Sequence, residues 1–138
     1  MDRRAFLGTA GAVVVSLSGC TEGGLREADY DIGMSANAFL PERYEATVGE
    51  TVVWGNNGSR RHTVTAYDEA LPQGADYFAT GGFDSNEEAR TAWFDGGGGG
   101  AIAPGDTFSN TFDVPGEHGY YCIPHEDAAM VGVIVVAE

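Results

Sequence analysis

From Tyr30 to its end the chain is a succession of short β-rich runs closed by turn formers, and no run outside one long loop keeps a helical period. Ile32 and Met34 alternate with polar neighbours, as do Tyr44, Ala46 and Val48 before the turn at Gly49-Glu50. Thr51-Val52-Val53-Trp54 stops at Gly55-Asn56-Asn57-Gly58, and His62–Ala66 follows. Thr107–Val114, Tyr120–Cys122 and Val131–Val136 complete the series. A period of two places alternate side chains on opposite faces, so each run can bury one face only against a second sheet. Six or seven such strands predict an all-β fold, an antiparallel β-sandwich of about 100 residues.

Residues 67–105 interrupt the series. They carry Asp68, Glu69, Asp76, Asp84, Glu87, Glu88 and Asp95 among Tyr67, Tyr77, Phe78, Phe83, Trp93 and Phe94, and then five consecutive glycines, Gly96–Gly100. A loop this long inside a small domain is usually functional or partly disordered. The aromatics predict packing on the sandwich, Glu87–Trp93 a helical turn or two, and the glycines a mobile end.

Arg3 and Arg4 stand before fifteen uncharged residues, Ala5–Gly19. That run is too short to cross a bilayer as a helix but suits the apolar part of an export signal. The arginine pair followed by Phe6-Leu7 resembles a twin-arginine signal, and Leu17-Ser18-Gly19-Cys20 resembles a lipobox with Cys20 as the lipidated residue. The plainer alternative is an ordinary signal with an incidental cysteine. The lipoprotein reading divides the chain into a signal peptide 1–19, a lipidated tether 20–28 and a domain 29–138. It places the mature protein on the outer face of the cytoplasmic membrane, held there by its lipid. Loss of the leader takes the net charge from −14 to −15, since Asp2, Arg3 and Arg4 leave with it. All seven basic residues are arginines, against 21 acidic ones. This excludes nucleic acid and a charge-held anionic membrane surface as partners, because both need a positive face.

With Cys20 assigned to lipid, Cys122 remains as a single thiol in an exported protein, liable to oxidation unless buried or bound to metal. It opens Cys122-Ile123-Pro124-His125 with Met130 beyond, a C-x2-H-x4-M spacing. Thiolate, imidazole and thioether in one short loop form a soft ligand set, and a His2Cys trigon with a weak axial Met is the set of a blue copper site. His62, opening a strand after a turn, can supply the second imidazole. Taken singly, His62 reads as a surface or capping residue, Met130 as core and Cys122 as a buried thiol. Independent core residues have no reason to adopt this loop spacing.

These residues resemble the small blue (type 1) copper proteins of the plastocyanin/azurin family, the cupredoxins, and among them the halocyanins of salt-loving archaea. The resemblance covers most of residues 37–138. It rests on Asn37-Ala38-Phe39-x-Pro41, Val48-Gly49-Glu50-Thr51-Val52-x-Trp54-x-Asn56, His62-Thr63-Val64, and Val114-x-Gly116 through Met130-Val131-Gly132. It implies a cupredoxin-like Greek-key sandwich with His62, Cys122 and His125 as equatorial ligands and Met130 as the axial one. It implies one copper, cycling Cu(I)/Cu(II). Two positions depart from the pattern. Relatives often carry Asn where Thr63 stands, bridging the two ligand segments, a role its hydroxyl can fill with fewer bonds. His118 replaces a common Tyr and is expected as a solvated or hydrogen-bonded edge residue rather than a fifth ligand. The acidic, lysine-free composition resembles halophile surfaces.

The function implied is one-electron transfer by a membrane-anchored monomer that docks transiently with redox proteins of the respiratory chain. It is not an enzyme: four protein ligands leave no open position for substrate. The alternatives are a copper-delivery protein using the same ligands and a structural sandwich with an accidental pattern.

Overall fold

A computed structural model describes residues 25–138, so the leader 1–19, Cys20 and the first part of the tether lie outside the described residues. Eight strands follow one another: β1 Ile32–Met34, β2 Phe39–Leu40, β3 Arg43–Thr47, β4 Glu50–Gly55, β5 Thr65–Ala66, β6 Thr107–Phe112, β7 Gly116–Tyr121 and β8 Val131–Ala137. One sheet has the order β2-β1-β4-β6 and the other β3-β8-β7-β5. This is the expected sandwich. Two of its pairs, however, are parallel: Ile32 registers with Trp54 between β1 and β4, and Arg43–Thr47 with Val133–Ala137 between β3 and β8. The rest run antiparallel. A parallel pair needs a long crossover. Residues 35–49 and 48–130 provide one in each case, because the chain changes sheets between the partners.

Alternation fills the space between the sheets. Val52 and Trp54 of β4 are fully buried while Thr51 between them and the turn is exposed, and Ile134 and Val136 do the same on β8. Trp54 is the hub. Its ring meets Tyr120 edge-on at 5.4 Å and lies 5.6 Å from Phe108, a geometry favoured by the ring quadrupoles. Met34 is core, as expected.

The insertion departs from its expectation in two ways. Its helical part is a full helix, α1 (Asn86–Asp95), started by Ser85, whose side chain accepts from the Glu88 amide. The glycine run is packed rather than loose: the amides of Gly96 and Gly99 both bond to the Ala92 carbonyl, and Gly98 N bonds to Trp93 O. Gly97, Gly98 and Gly100 have positive φ, which only glycine adopts without strain. At Gly98 a side chain would also crowd the Arg61 guanidinium, itself seated over Trp93 at 5.4 Å.

Candidate metal centre

The strand segment that carries His62 is fixed before the ligand is reached. Asn56, wholly buried, donates to the carbonyls of Arg60 (2.7 Å) and Ile102 (2.8 Å) and accepts from Gly58 N. His62 and Ile102 then exchange both backbone hydrogen bonds, at 3.2 and 2.7 Å. Sixty residues on, Cys122 follows the last residue of β7, and the chain turns through short 3-10 turns over Ile123–Ala128. That turn is tied by its own backbone: His125 N donates to Cys122 O, Met130 N to His125 O, and Cys122 N to Met130 O. Ala129 closes it at φ 64°, a left-handed conformation unusual for a residue with a Cβ.

The two segments meet through Thr63. Its hydroxyl accepts from Ile123 N at 2.9 Å and from the Thr65 hydroxyl at 2.9 Å, and its amide donates to Cys122 Sγ at 3.4 Å. The bridging role expected of Thr63 is therefore present.

Three of the four expected ligands converge. Cys122 Sγ lies 3.5 Å from His62 Nδ1 and 3.4 Å from His125 Nδ1, and the three donor atoms all lie within 4.8 Å of one another. A trigonal ion with bonds of about 2.0 Å to nitrogen and 2.3 Å to sulfur holds those atoms roughly 3.7 Å apart, so the cluster has the dimensions of a small soft cation's site. Met130 is fully buried, and its main chain bonds to both Cys122 and His125. His62 and Cys122 are buried, whereas His125 is half-buried.

Burial favours the neutral form of each of the three donors. Burial, with a smaller contribution from His125, brings His62 down to about 4, so its imidazole is neutral at pH 7. Burial likewise lowers His125, with Arg60 adding to the effect. Burial pushes the Cys122 thiol up to about 11 despite the donors from Thr63 and His125. A thiolate in this pocket requires a cation beside it. His62 Nε2 has no hydrogen-bond partner among the described residues within ordinary geometry, although the Ser35 backbone lies near enough to favour the charged ring.

His118 is not part of the cluster. It is buried on the inner strand β7, not at an edge, with Nε2–H donating to Val114 O at 2.9 Å and its ring edge-on to Phe112. The hydrogen-bonded reading stands and the solvated one does not. Sequence reasoning missed a second group, Tyr67, Arg90, Tyr121 and Glu126, which surrounds the ligand loop from the insertion side.

Comparison with known proteins agrees with this donor set. Residues 27–137 match the family profile of copper-binding proteins of the plastocyanin/azurin family. The chain is 35% identical over 139 residues to chloroplastic plastocyanin of Hordeum vulgare, covering 96% of this chain and 80% of the relative. It is 36% identical over 138 residues to that of Oryza sativa subsp. indica, with the same coverage. Among solved structures, pseudoazurin from Methylobacterium extorquens AM1 superposes with a TM-score of 0.55 at 22% identity, covering 78% of this chain and 73% of that one. Oxidised plastocyanin of Dryopteris crassirhizoma gives 0.51 at 22% identity, covering 76% and 97%. Fold, soft donor cluster and sequence similarity converge on one conclusion: the chain is a cupredoxin and belongs to the plastocyanin/azurin family of copper-binding proteins.

Proposed function

We propose that His62, Cys122 and His125, with Met130 as the fourth and weakest ligand, would hold one copper ion, and that the protein would pass single electrons through it. The observation that carries this reading is the convergence of one thiol sulfur and two imidazole nitrogens, 3.4–3.5 Å from sulfur to each nitrogen, at the buried end of the sandwich. Copper, when bound, supplies a one-electron couple. The chain's own residues do the rest. His62 and Cys122, held by Asn56 and Thr63, cannot rearrange without breaking buried hydrogen bonds, so the donor positions change little between redox states. The set is complete without a substrate position, and the protein is an electron carrier rather than an enzyme. His125 alone reaches the surface, beside Pro124, Ala128 and Ala129, and offers the shortest path to a partner.

Copper titration of the purified chain tests this. A strong thiolate-to-copper absorption band is expected at one equivalent, and Cys122→Ser abolishes it while the fold is retained. A variant that stays blue overturns the ligand set.

The same proposal extends to location. Leader 1–19, the lipobox and Cys20 support an exported lipoprotein on the outer face of the cytoplasmic membrane, a halocyanin-like carrier that docks as a monomer with respiratory redox proteins. Cys20→Ala is expected to move the protein from the membrane fraction to the soluble fraction with an unchanged spectrum. Twenty-one carboxylates against seven arginines support a halophilic setting, in which salt screens repulsion within the domain.

A further inference from the structure

The insertion reaches the ligand loop through Arg90 and Tyr67, which share one carboxylate. Arg90, in the middle of α1, places Nη1 at 3.0 Å from Glu126 Oε1 and Nη2 at 3.2 Å from Oε2. This is a two-bond fork onto the residue that directly follows His125. Tyr67, at the start of the insertion, donates its hydroxyl to the same Oε2 at 2.7 Å. The guanidinium also lies over the ring of Tyr121, 4.6 Å from its centroid, and Tyr121 directly precedes Cys122. Tyr67 stacks on Tyr121, its ring 4.3 Å from that of Tyr121 with 19° between planes. Tyr121 OH finally donates to Asn86 Oδ1, at the first residue of α1. One side chain of the insertion therefore grips the chain neighbours of two of the three converging donors.

We propose that α1 is a clamp on the metal centre, in which Arg90, Glu126 and Tyr67 are positioning residues that hold His125 and Cys122 at their separation. The proposal rests on the ligand set given above. Three features separate it from an ordinary surface ion pair. Arg90 and Glu126 are only 35% and 31% exposed, so their attraction is screened less than that of an open pair. The fork and the stack fix a plane as well as a distance, which a point contact does not. Thr63 ties the start of the turn at Cys122 and Ile123, whereas its later part is held by backbone bonds and includes His125 itself at non-helical φ −121°, ψ 17°. Nothing else among the hydrogen bonds of the described residues ties the Glu126 side chain.

The test uses the full chain loaded with copper. Arg90→Ala is expected to weaken copper binding by about tenfold, the lower end of what loss of a supporting partner costs a metal site. It should also alter the relative strengths of the thiolate-to-copper bands and slow electron self-exchange. Arg90→Lys recovers only part of this, since an ammonium cannot offer the fork and the stack together. Tyr67→Phe keeps the stacked ring and removes one bond, so it gives a smaller shift of the same kind and a readable result should Arg90→Ala fold poorly. Arg43→Ala, which removes an exposed pair with Glu117 formed across β8, is the control and leaves all three readouts unchanged. If the Arg90 and Tyr67 variants melt earlier yet match the parent in spectrum, affinity and exchange rate, α1 is a staple and the clamp is refuted. If the parent chain itself gives no blue band with copper, the ligand set is at fault, and the clamp falls with it.

Discussion

Replacing Thr63 by Val keeps the side chain's shape and deletes one oxygen, which isolates the bridge between the ligand segments. In the parent that oxygen accepts two hydrogen bonds, from Ile123 N and Thr65 Oγ1, both at 2.9 Å. Thr63 and Thr65 are each 1% exposed and Ile123 5%, so water cannot take over as acceptor. An orphaned buried donor costs about 1–3 kcal/mol. The Ile123 amide is fixed and bears that cost in full, whereas the Thr65 hydroxyl can rotate in search of another acceptor. The sum is about 2–4 kcal/mol. At roughly 4 °C per kcal/mol for a domain of this size, the melting point drops by about 8–16 °C. Thr63→Ser restores the acceptor and loses only a buried methyl, worth about 1 kcal/mol. Thermal unfolding of the three proteins, with copper and after its removal, reads the difference. Copper affinity should fall in the Val variant and hold in the Ser variant, because the bridge joins the His62 segment to the Cys122 turn. A Val variant as stable as the Ser variant would refute the accounting.

Met130→Leu is expected to keep the blue band and raise the reduction potential, since loss of a weak axial donor disfavours the oxidised ion more than the reduced one; voltammetry checks it, and loss of all copper binding would contradict an axial role. His118 is 2% exposed and burial holds its pKa below 6.5, so the unfolded chain takes up the proton first as pH falls. The stability linked to neutral His118 is complete above pH 6.5 and is lost below it at up to about 1.4 kcal/mol per pH unit. His118→Gln should flatten the stability profile just below pH 6.5 relative to the parent, measured by denaturant unfolding, and an unchanged slope would exclude His118 as the source. Ala129→Glu adds a charge beside the half-buried His125 and should slow self-exchange with little change in spectrum, whereas the same charge at exposed Gln73, on the insertion, should not.

The sandwich was legible because burial leaves a period in the sequence: Val52 and Trp54 face the core in the structure as their spacing implies. The parallel pairing of β3 with β8 was not legible, since both strands carry that same period whichever way their neighbour runs. The metal centre was legible where its donors share one turn, Cys122, His125 and Met130, and less so at His62, whose membership depends on how two sheets are superposed. Arg90 and Glu126 were invisible. Each is an ordinary polar residue in its own segment, and only the packing of α1 beside the ligand loop brings them together. The glycine run misled for a related reason. Five glycines signal freedom, yet here positive φ at three of them lets the chain fold back on Ala92 and Trp93.

A long insertion can position a metal site only if it is itself held to that site, and the backbone shows how this is done. β5 is the edge strand of its sheet and follows directly from the His62 segment. The insertion returns along that edge: Ala66 N bonds to Phe78 O at 3.0 Å and Thr80 N to Val64 O at 2.8 Å. Phe78, 5% exposed, sinks into the same cluster as Trp54. At its far end Ile102 pairs with His62. Both ends of the excursion are thus bonded to the segment that carries the first imidazole, while its helix holds the loop that carries the second. The insertion covers an edge that would otherwise present unpaired amides, and the same hydrogen bonds fix the frame from which Arg90 reaches Glu126. Covering the edge and the proposed support of the centre are consequences of one arrangement, in which Phe78 anchors the excursion in the core.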